Sequence, residues 1–141
     1  VAQLLQDQWR ALGIRLIIDP VPGFAGLLEK VAEEEWNLVA FDTSGLDPAL
    51  LNPRFLSTGS VNWTGYANPE VDRLLLEAIR ASDDEQRRLA YGQVQAFLMQ
   101  DAVILPIRDY VNLNAYSTRL DGLRFDAYGW FPILYGLRFT P

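Results

Sequence analysis

The sequence contains no cysteine and no histidine. Without Cys there is no thiol nucleophile and no disulfide. Without His there is no imidazole base, and neither residue is present to build a Cys/His zinc site. Lys30 is the single lysine among 12 basic residues, and the basic side chains are scattered along the chain rather than clustered. Set against 18 acidic residues they leave a net charge of −6, which disfavours electrostatic binding to nucleic acid or to an anionic membrane. No apolar run is long enough to span a bilayer. Nor is there a phosphate-cradling loop: Gly23-Phe24-Ala25-Gly26 has neither the fingerprint spacing nor a Lys-Ser/Thr pair. No calcium-loop spacing occurs, so neither metal nor cofactor is expected.

What remains is a chain well equipped to fold. Of its 141 residues 50% are apolar and 12% aromatic, unlike a disordered chain. One domain spanning residues 1–141 is expected, burying roughly 68% of the surface its unfolded form exposes. The chain opens at Val1 rather than Met, directly inside a helical pattern, so a fragment of something longer is expected.

The hydrophobic pattern alternates between helix and strand periods. Val1, Leu4, Leu5, Trp9 and Leu12 form a helical stripe, and Gly13 follows where a helix commonly ends left-handed. Ile14 to Ile18 reads as a strand closed by Asp19-Pro20 and Pro22-Gly23. Phe24, Leu27, Leu28 and Val31 make a second stripe, ending in the acidic run Glu33-Glu34-Glu35, and Trp36 to Phe41 reads as a second strand. Residues 42–67 form a polar stretch with embedded aromatics, of a length that in compact domains is often functional, with Leu50, Leu51, Phe55 and Leu56 as its helical anchor. Asn68-Pro69-Glu70 is a helix start, with Val71, Leu74, Leu75, Ala78 and Ile79 as the apolar face. Ser82 to Glu85 is a capping-box pattern opening a helix to about Gln100, whose face carries Ala90, Tyr91, Val94, Phe97 and Leu98. Ala102 to Ile107 and Val111 to Tyr116 read as further strands, the first at a sheet edge or bulged at Pro106. Beyond them the chain is irregular or short-stranded. The alternation indicates an α/β fold.

Three groups of residues are candidates for chemistry. Asp42 and Asp47 lie after the carboxyl end of a strand, where α/β sheets place ligands, and would be the acid pair of a carboxylate hydrolase. The other reading of Asp47-Pro48 is a turn or helix start. Glu33-Glu34-Glu35 and Asp83-Asp84-Glu85 read as solvated helix ends. Trp9 and Trp36 read as core. Trp63, flanked by Asn62 and Thr64, suits a small-molecule pocket, where an aromatic face stacks and an amide directs hydrogen bonds; the same pair would equally pin the loop to the core.

Four stretches in order carry a family resemblance. They are Leu4 to Ile18 (LLQDQWRALGIRLII), Trp36 to Pro48 (WNLVAFDTSGLDP), Asn62 to Leu76 (NWTGYANPEVDRLLL) and Asp83 to Pro106 (DDEQRRLAYGQVQAFLMQDAVILP). The chain resembles the C-terminal portion of family 5 extracellular solute-binding proteins, the dipeptide, oligopeptide and nickel receptors of ABC importers, over roughly residues 1–110. The resemblance implies a periplasmic-binding-protein-like lobe of type II, a mixed sheet flanked by helices, forming the second lobe of a longer two-lobed receptor that closes over its ligand. It implies a non-enzymatic, extracytoplasmic protein, periplasmic or a cell-surface lipoprotein. Its partners would be a peptide or other small polar solute, an N-terminal lobe and an ABC permease in the membrane, with no nucleic acid. Phe41, Asp42, Thr43 and Ser44 carry over as ligand-contacting wall, with Asn62 and Trp63 as a second contacting group. In peptide-binding members an aspartate three residues before Asp-Pro pairs with the ligand's amino terminus; that position here is Ser44. The alternatives are the hydrolase and a solute-sensing lobe of a transcription regulator.

Overall fold

The computed structural model describes residues 1–109 and 111–140. The chain divides into two compact units, Val1–Asp42 and Thr43–Pro141.

The first unit holds two helices, α1 (Ala2–Arg10) and α2 (Gly23–Ala32). The α1 helix ends as its glycine requires. The Ile14 N–H donates to the Trp9 carbonyl and the Gly13 N–H to that of Arg10, both at 3.0 Å, with Gly13 left-handed at φ 78°. This is a Schellman stop, which a side chain at position 13 would strain. Val31 on α2 is buried, and the half-buried Trp36 indole donates to its carbonyl at 3.2 Å.

The second unit starts with a 3₁₀ turn (Pro48–Leu51) running into the short helix α3 (Asn52–Phe55), the helical anchor expected from its leucines. Two long helices follow, α4 (Pro69–Arg80) and α5 (Asp84–Gln100). Asn68 caps α4, its Oδ1 accepting from the N–H groups of Glu70 and Val71, and Pro69 follows at the first helical position, where no donor is needed. The cap of α5 is Asp83 rather than Ser82: its carboxylate accepts from the Gln86 N–H at 2.8 Å, while Glu85 forms an ion pair with Arg88. A charged acceptor gains more from the helix dipole than a hydroxyl does, so the cap moves one residue on.

Packing of α4 on α5 makes the core. Val71, Leu74, Leu75 and Ala78 recur at helical spacing on one and meet Ala90, Tyr91, Val94 and Leu98 on the other, with Phe55 closing one end. Leu51, Leu56, Tyr66 and Val103 pack on its margin. The end of α5 is a second Schellman motif: Val103 N–H donates to Leu98 O and Ala102 N–H to Met99 O. Here the left-handed residue is Ala102, at φ 52°, a conformation costly for any residue with a Cβ.

The sheets are small and antiparallel. The strands β1 (Leu120–Asp121) and β4 (Arg138–Phe139) pair as an outer rung, and β2 (Arg124–Phe125) and β3 (Pro132–Ile133) as an inner one. The α/β expectation therefore stands coarsely, as helices with small sheets. The runs expected as strands, 14–18, 36–41, 102–107 and 111–116, form no ladder among the described residues. Apolar, β-branched composition favours extended chain, but a strand exists only where a second backbone takes up its donors and acceptors.

Two substitutions test this description by urea unfolding. Leu75→Ala, at a fully buried position, is expected to cost about 3 kcal/mol. Ala102→Gly is expected to stabilise by about 0.5–1 kcal/mol; a loss of stability would show that the left-handed turn carries no strain.

Candidate functional site

The polar stretch after the unit boundary is more ordered than its composition suggests, because side chains tie it at both ends. At its start Asp47 performs two tasks. Its Oδ1 accepts from the Ala49 N–H at 2.7 Å, capping the 3₁₀ turn, and from the Arg87 guanidinium of α5 at 2.5 Å. Arg87 also lies over the Tyr91 ring, 5.5 Å from its centroid, a cation–π contact that orients the guanidinium. The Tyr91 hydroxyl in turn donates to Asn52 Oδ1 at 3.2 Å, and the Asn52 amide to the Leu75 carbonyl at 3.4 Å. A chain of polar contacts thus runs from an exposed carboxylate into the helical core, and no buried side-chain polar atom among the described residues lacks a partner.

This arrangement decides what Asp47 can do. The Arg87 guanidinium, seconded by the Ala49 N–H, holds its carboxyl below the usual carboxylate range. A general acid needs the opposite, a proton retained near neutral pH. Asp42 is exposed and belongs to the first unit. Of the two readings of Asp47-Pro48, the turn start is the one realised.

The second half of the stretch, residues 56–68, is a loop closed on itself. Asn62 donates both to the Leu56 carbonyl at 3.1 Å and to the Tyr66 carbonyl at 2.8 Å, while its Oδ1 accepts from the Thr64 hydroxyl at 3.1 Å. The Ser57 N–H and hydroxyl both donate to the Asp72 carboxylate of α4, at 2.8 and 2.5 Å. The Tyr66 hydroxyl donates to Asp101, the residue capping α5, at 2.6 Å, and the Asn68 amide reaches the same carboxylate at 3.4 Å. Burial, with the Asp101 carboxylate second, pushes the Tyr66 phenol above its ordinary value. Gly59 is required where the chain folds back: a Cβ there would stand 2.4 Å from the Pro53 carbonyl oxygen, closer than any side-chain atom can come.

The candidate residues read from the sequence take these places. Phe41 and Asp42 are exposed at the end of the first unit, where the Phe41 ring lies 6.2 Å from that of Phe24. Thr43 and Ser44 are exposed at the start of the second. Trp63 is half-buried at the turn that the Asn62 side chain closes, and Asn62 has its amide engaged within that loop. The sequence reading overlooked Arg87, Asp72, Tyr66 and Asp101. One signal was available: Arg87 and Tyr91 stand four apart on a helix, the spacing at which two side chains share a face.

No model of a known protein family matches the chain, and no solved structure matches it. Curated proteins do. The peptide transport periplasmic protein SapA of Salmonella typhimurium is 27% identical over 133 residues, 91% of this chain and 24% of that protein. The dipeptide-binding protein DppE of Bacillus subtilis is 27% identical over 112 residues, 70% of the chain and 21% of the protein. The periplasmic oligopeptide-binding protein OppA of Haemophilus influenzae is 45% identical over 58 residues, 41% of the chain and 11% of the protein. These relatives are family 5 peptide-binding proteins, so the resemblance carried by the four stretches stands. Their names describe binding and transport, and neither the hydrolase nor the regulator reading gains support. The chain spans about a quarter, or less, of the length of these relatives.

The Asp47–Arg87 pair is open to direct measurement. Because the folded state depresses the Asp47 pKa, the stability it contributes is present at neutral pH and is lost as pH falls through that lowered value. Arg87→Gln is expected to raise the Asp47 midpoint toward the ordinary carboxylate value in an NMR titration of its side-chain carbon. An unmoved midpoint would mean that the turn's own N–H groups, not Arg87, hold the carboxylate.

Proposed function

We propose that this chain is the ligand-binding C-terminal lobe of an extracytoplasmic family 5 solute-binding protein, which delivers a peptide or other small polar solute to an ABC importer. The observation that carries the reading is similarity along nearly the whole chain to proteins named for periplasmic peptide transport and for di/tripeptide binding. The share of those proteins covered supports a single lobe as its extent. In this reading the fold is the type II binding-protein lobe. That lobe is a mixed sheet flanked by helices. The partners are the missing N-terminal lobe and a permease in the membrane. Among the described residues no helix is long and apolar enough to cross a membrane.

The proposed contacts are Phe41, Asp42, Thr43, Ser44 and Trp63, and Asn62, a contact by resemblance, has its amide engaged within the loop that carries Trp63. These are aromatic, hydroxyl and carboxylate groups, the composition of a pocket that binds by shape and a few directed hydrogen bonds. Binding is reversible and non-covalent. Affinity comes from aromatic contact and from desolvation when two lobes close on the ligand, each burying what the other leaves exposed. Ser44 favours a refinement: a neutral hydroxyl supplies no charge for a ligand ammonium, so recognition rests on the peptide backbone or on another polar solute's hydroxyls rather than on a free amino terminus.

Calorimetry with trialanine tests both points. The full-length protein is expected to bind with a Kd of about 10 µM or tighter, equivalent to roughly −7 kcal/mol, and the isolated 141-residue chain at least about a hundredfold more weakly, because half the enclosing surface is absent. Tight binding by the chain alone would sink the single-lobe reading, and no binding of any peptide by the full-length protein would rule out a peptide as the solute. Acetylating the peptide's amino terminus is expected to change the affinity by no more than about twofold. A large loss would mean that a carboxylate such as Asp42 engages the ammonium after all.

A further inference from the structure

The loop that carries Trp63 is held by bonds that no apolar packing requires. Asn62 and Tyr66 bracket the tryptophan, and the Asn62 amide bridges to the Tyr66 carbonyl, closing a five-residue ring around it. Two backbone bonds, Val61 N–H to Pro53 O and Trp63 N–H to Val61 O, add to the closure, as does the Thr64 hydroxyl, which accepts from the Tyr66 N–H. That ring is then fastened to a rigid element, through the 2.6 Å bond from the Tyr66 hydroxyl to Asp101 at the end of α5. The Tyr66 ring also packs on the margin of the α4–α5 core, so the attachment is both apolar and polar. A loop whose only task was to connect α3 to α4 needs neither the ring nor the fastening; a polar chain on the surface is satisfied by water.

We propose that Asn62, Tyr66 and Asp101 are positioning residues: they hold Trp63 in its ligand-contacting place before ligand arrives, without touching the ligand themselves. The proposal rests on the reading of Trp63 as a contact given above, and it sharpens the part played by Asn62. The physical gain is preorganisation. A tryptophan on a free loop must be ordered at the moment of binding, and that ordering is subtracted from the affinity; on a loop closed and fastened beforehand it is not. Asp101 serves best as a carboxylate or an amide, since either accepts the Tyr66 hydroxyl bond.

The test uses the full-length protein, trialanine as the probe, and four variants. Tyr66→Phe removes the hydroxyl while keeping the ring in its packing place. It is expected to weaken trialanine binding about fivefold and to raise amide hydrogen exchange in residues 61–66 while leaving α4 and α5 protected. Asp101→Asn preserves the acceptor and is expected to bind nearly as the parent does. Trp63→Ala is expected to weaken binding about tenfold. The double variant Tyr66→Phe/Trp63→Ala is then expected to be no weaker than Trp63→Ala alone, because the tyrosine acts only through the tryptophan. Additive losses, unchanged exchange in the loop, or full affinity in Tyr66→Phe would each overturn the proposal while leaving Trp63 as a contact. If Trp63→Ala binds trialanine as well as the parent does, the assignment of Trp63 as a contact fails first, and the positioning role fails with it.

Discussion

Burial of α4 against α5 is the constraint on which the rest of the larger unit depends. Of the ten buried hydrophobic residues described, eight lie on these two helices and a ninth, Phe55, closes their end. Each fully buried aliphatic side chain there contributes on the order of 1.5–3 kcal/mol, and nothing else in the described chain offers comparable apolar burial. The small paired strands of the tail are mostly exposed, and two-residue rungs have little stability of their own. The helical hairpin therefore supplies the fixed frame, and the loops take their shape from the points where they are fastened to it.

Those points are polar and connect residues far apart in the chain. Asp47 meets Arg87 across 40 positions, Tyr66 meets Asp101 across 35, Tyr91 meets Asn52 across 39, and Ser57 meets Asp72 across 15. One partner of each bond stands on or beside the hairpin. This gives a physical account of three of the stretches that carry the resemblance to solute-binding proteins. The Asp47 carboxylate is bonded to Arg87 of α5, which lies over Tyr91, and Tyr66 and Asn68 before α4 are bonded to Asp101 at the end of α5. Motifs that look like separate signatures along the chain are thus tied together, once folded, by two groups of contacts on the hairpin. The first of them removes Asp47 from any acid–base role, since an ion pair that lowers a carboxyl's pKa makes it a poor proton donor at neutral pH.

Much of the helical structure was legible in the residues. The Gly13 stop, the Asn68-Pro69 start and the apolar spacing of α4 and α5 rest on interactions between residues within a turn or two, so local sequence contains all the partners. The same locality explains the shifted cap. Ser82 and Asp83 both satisfy a capping pattern, and only a comparison of a neutral with a charged acceptor separates them. The left-handed Ala102 left no trace in the sequence because the turn is imposed by the packing of Val103 onto the hairpin's end, which overrides the preference for glycine. Nor did composition distinguish Asn62 as a candidate ligand contact from Asn62 as the bolt of its own loop, since an amide is equally suited to both.

By itself the sequence determined the class of chemistry, the positions of the helices and the faces they bury. Those follow from which side chains are present and from the 3.6-residue period, both properties of the chain alone. Strand pairing and the engagement of polar groups were decided only by the tertiary structure. A ladder needs a second backbone at hydrogen-bonding distance, which the apolar runs at 14–18 and 36–41 do not specify. Whether a carboxylate such as Asp47 or Asp101 faces water, a ligand or an internal partner depends on which distant residue the folded chain brings to within about 3 Å of it. Side-chain identity states what a group is able to bind, and only the fold states what it already holds.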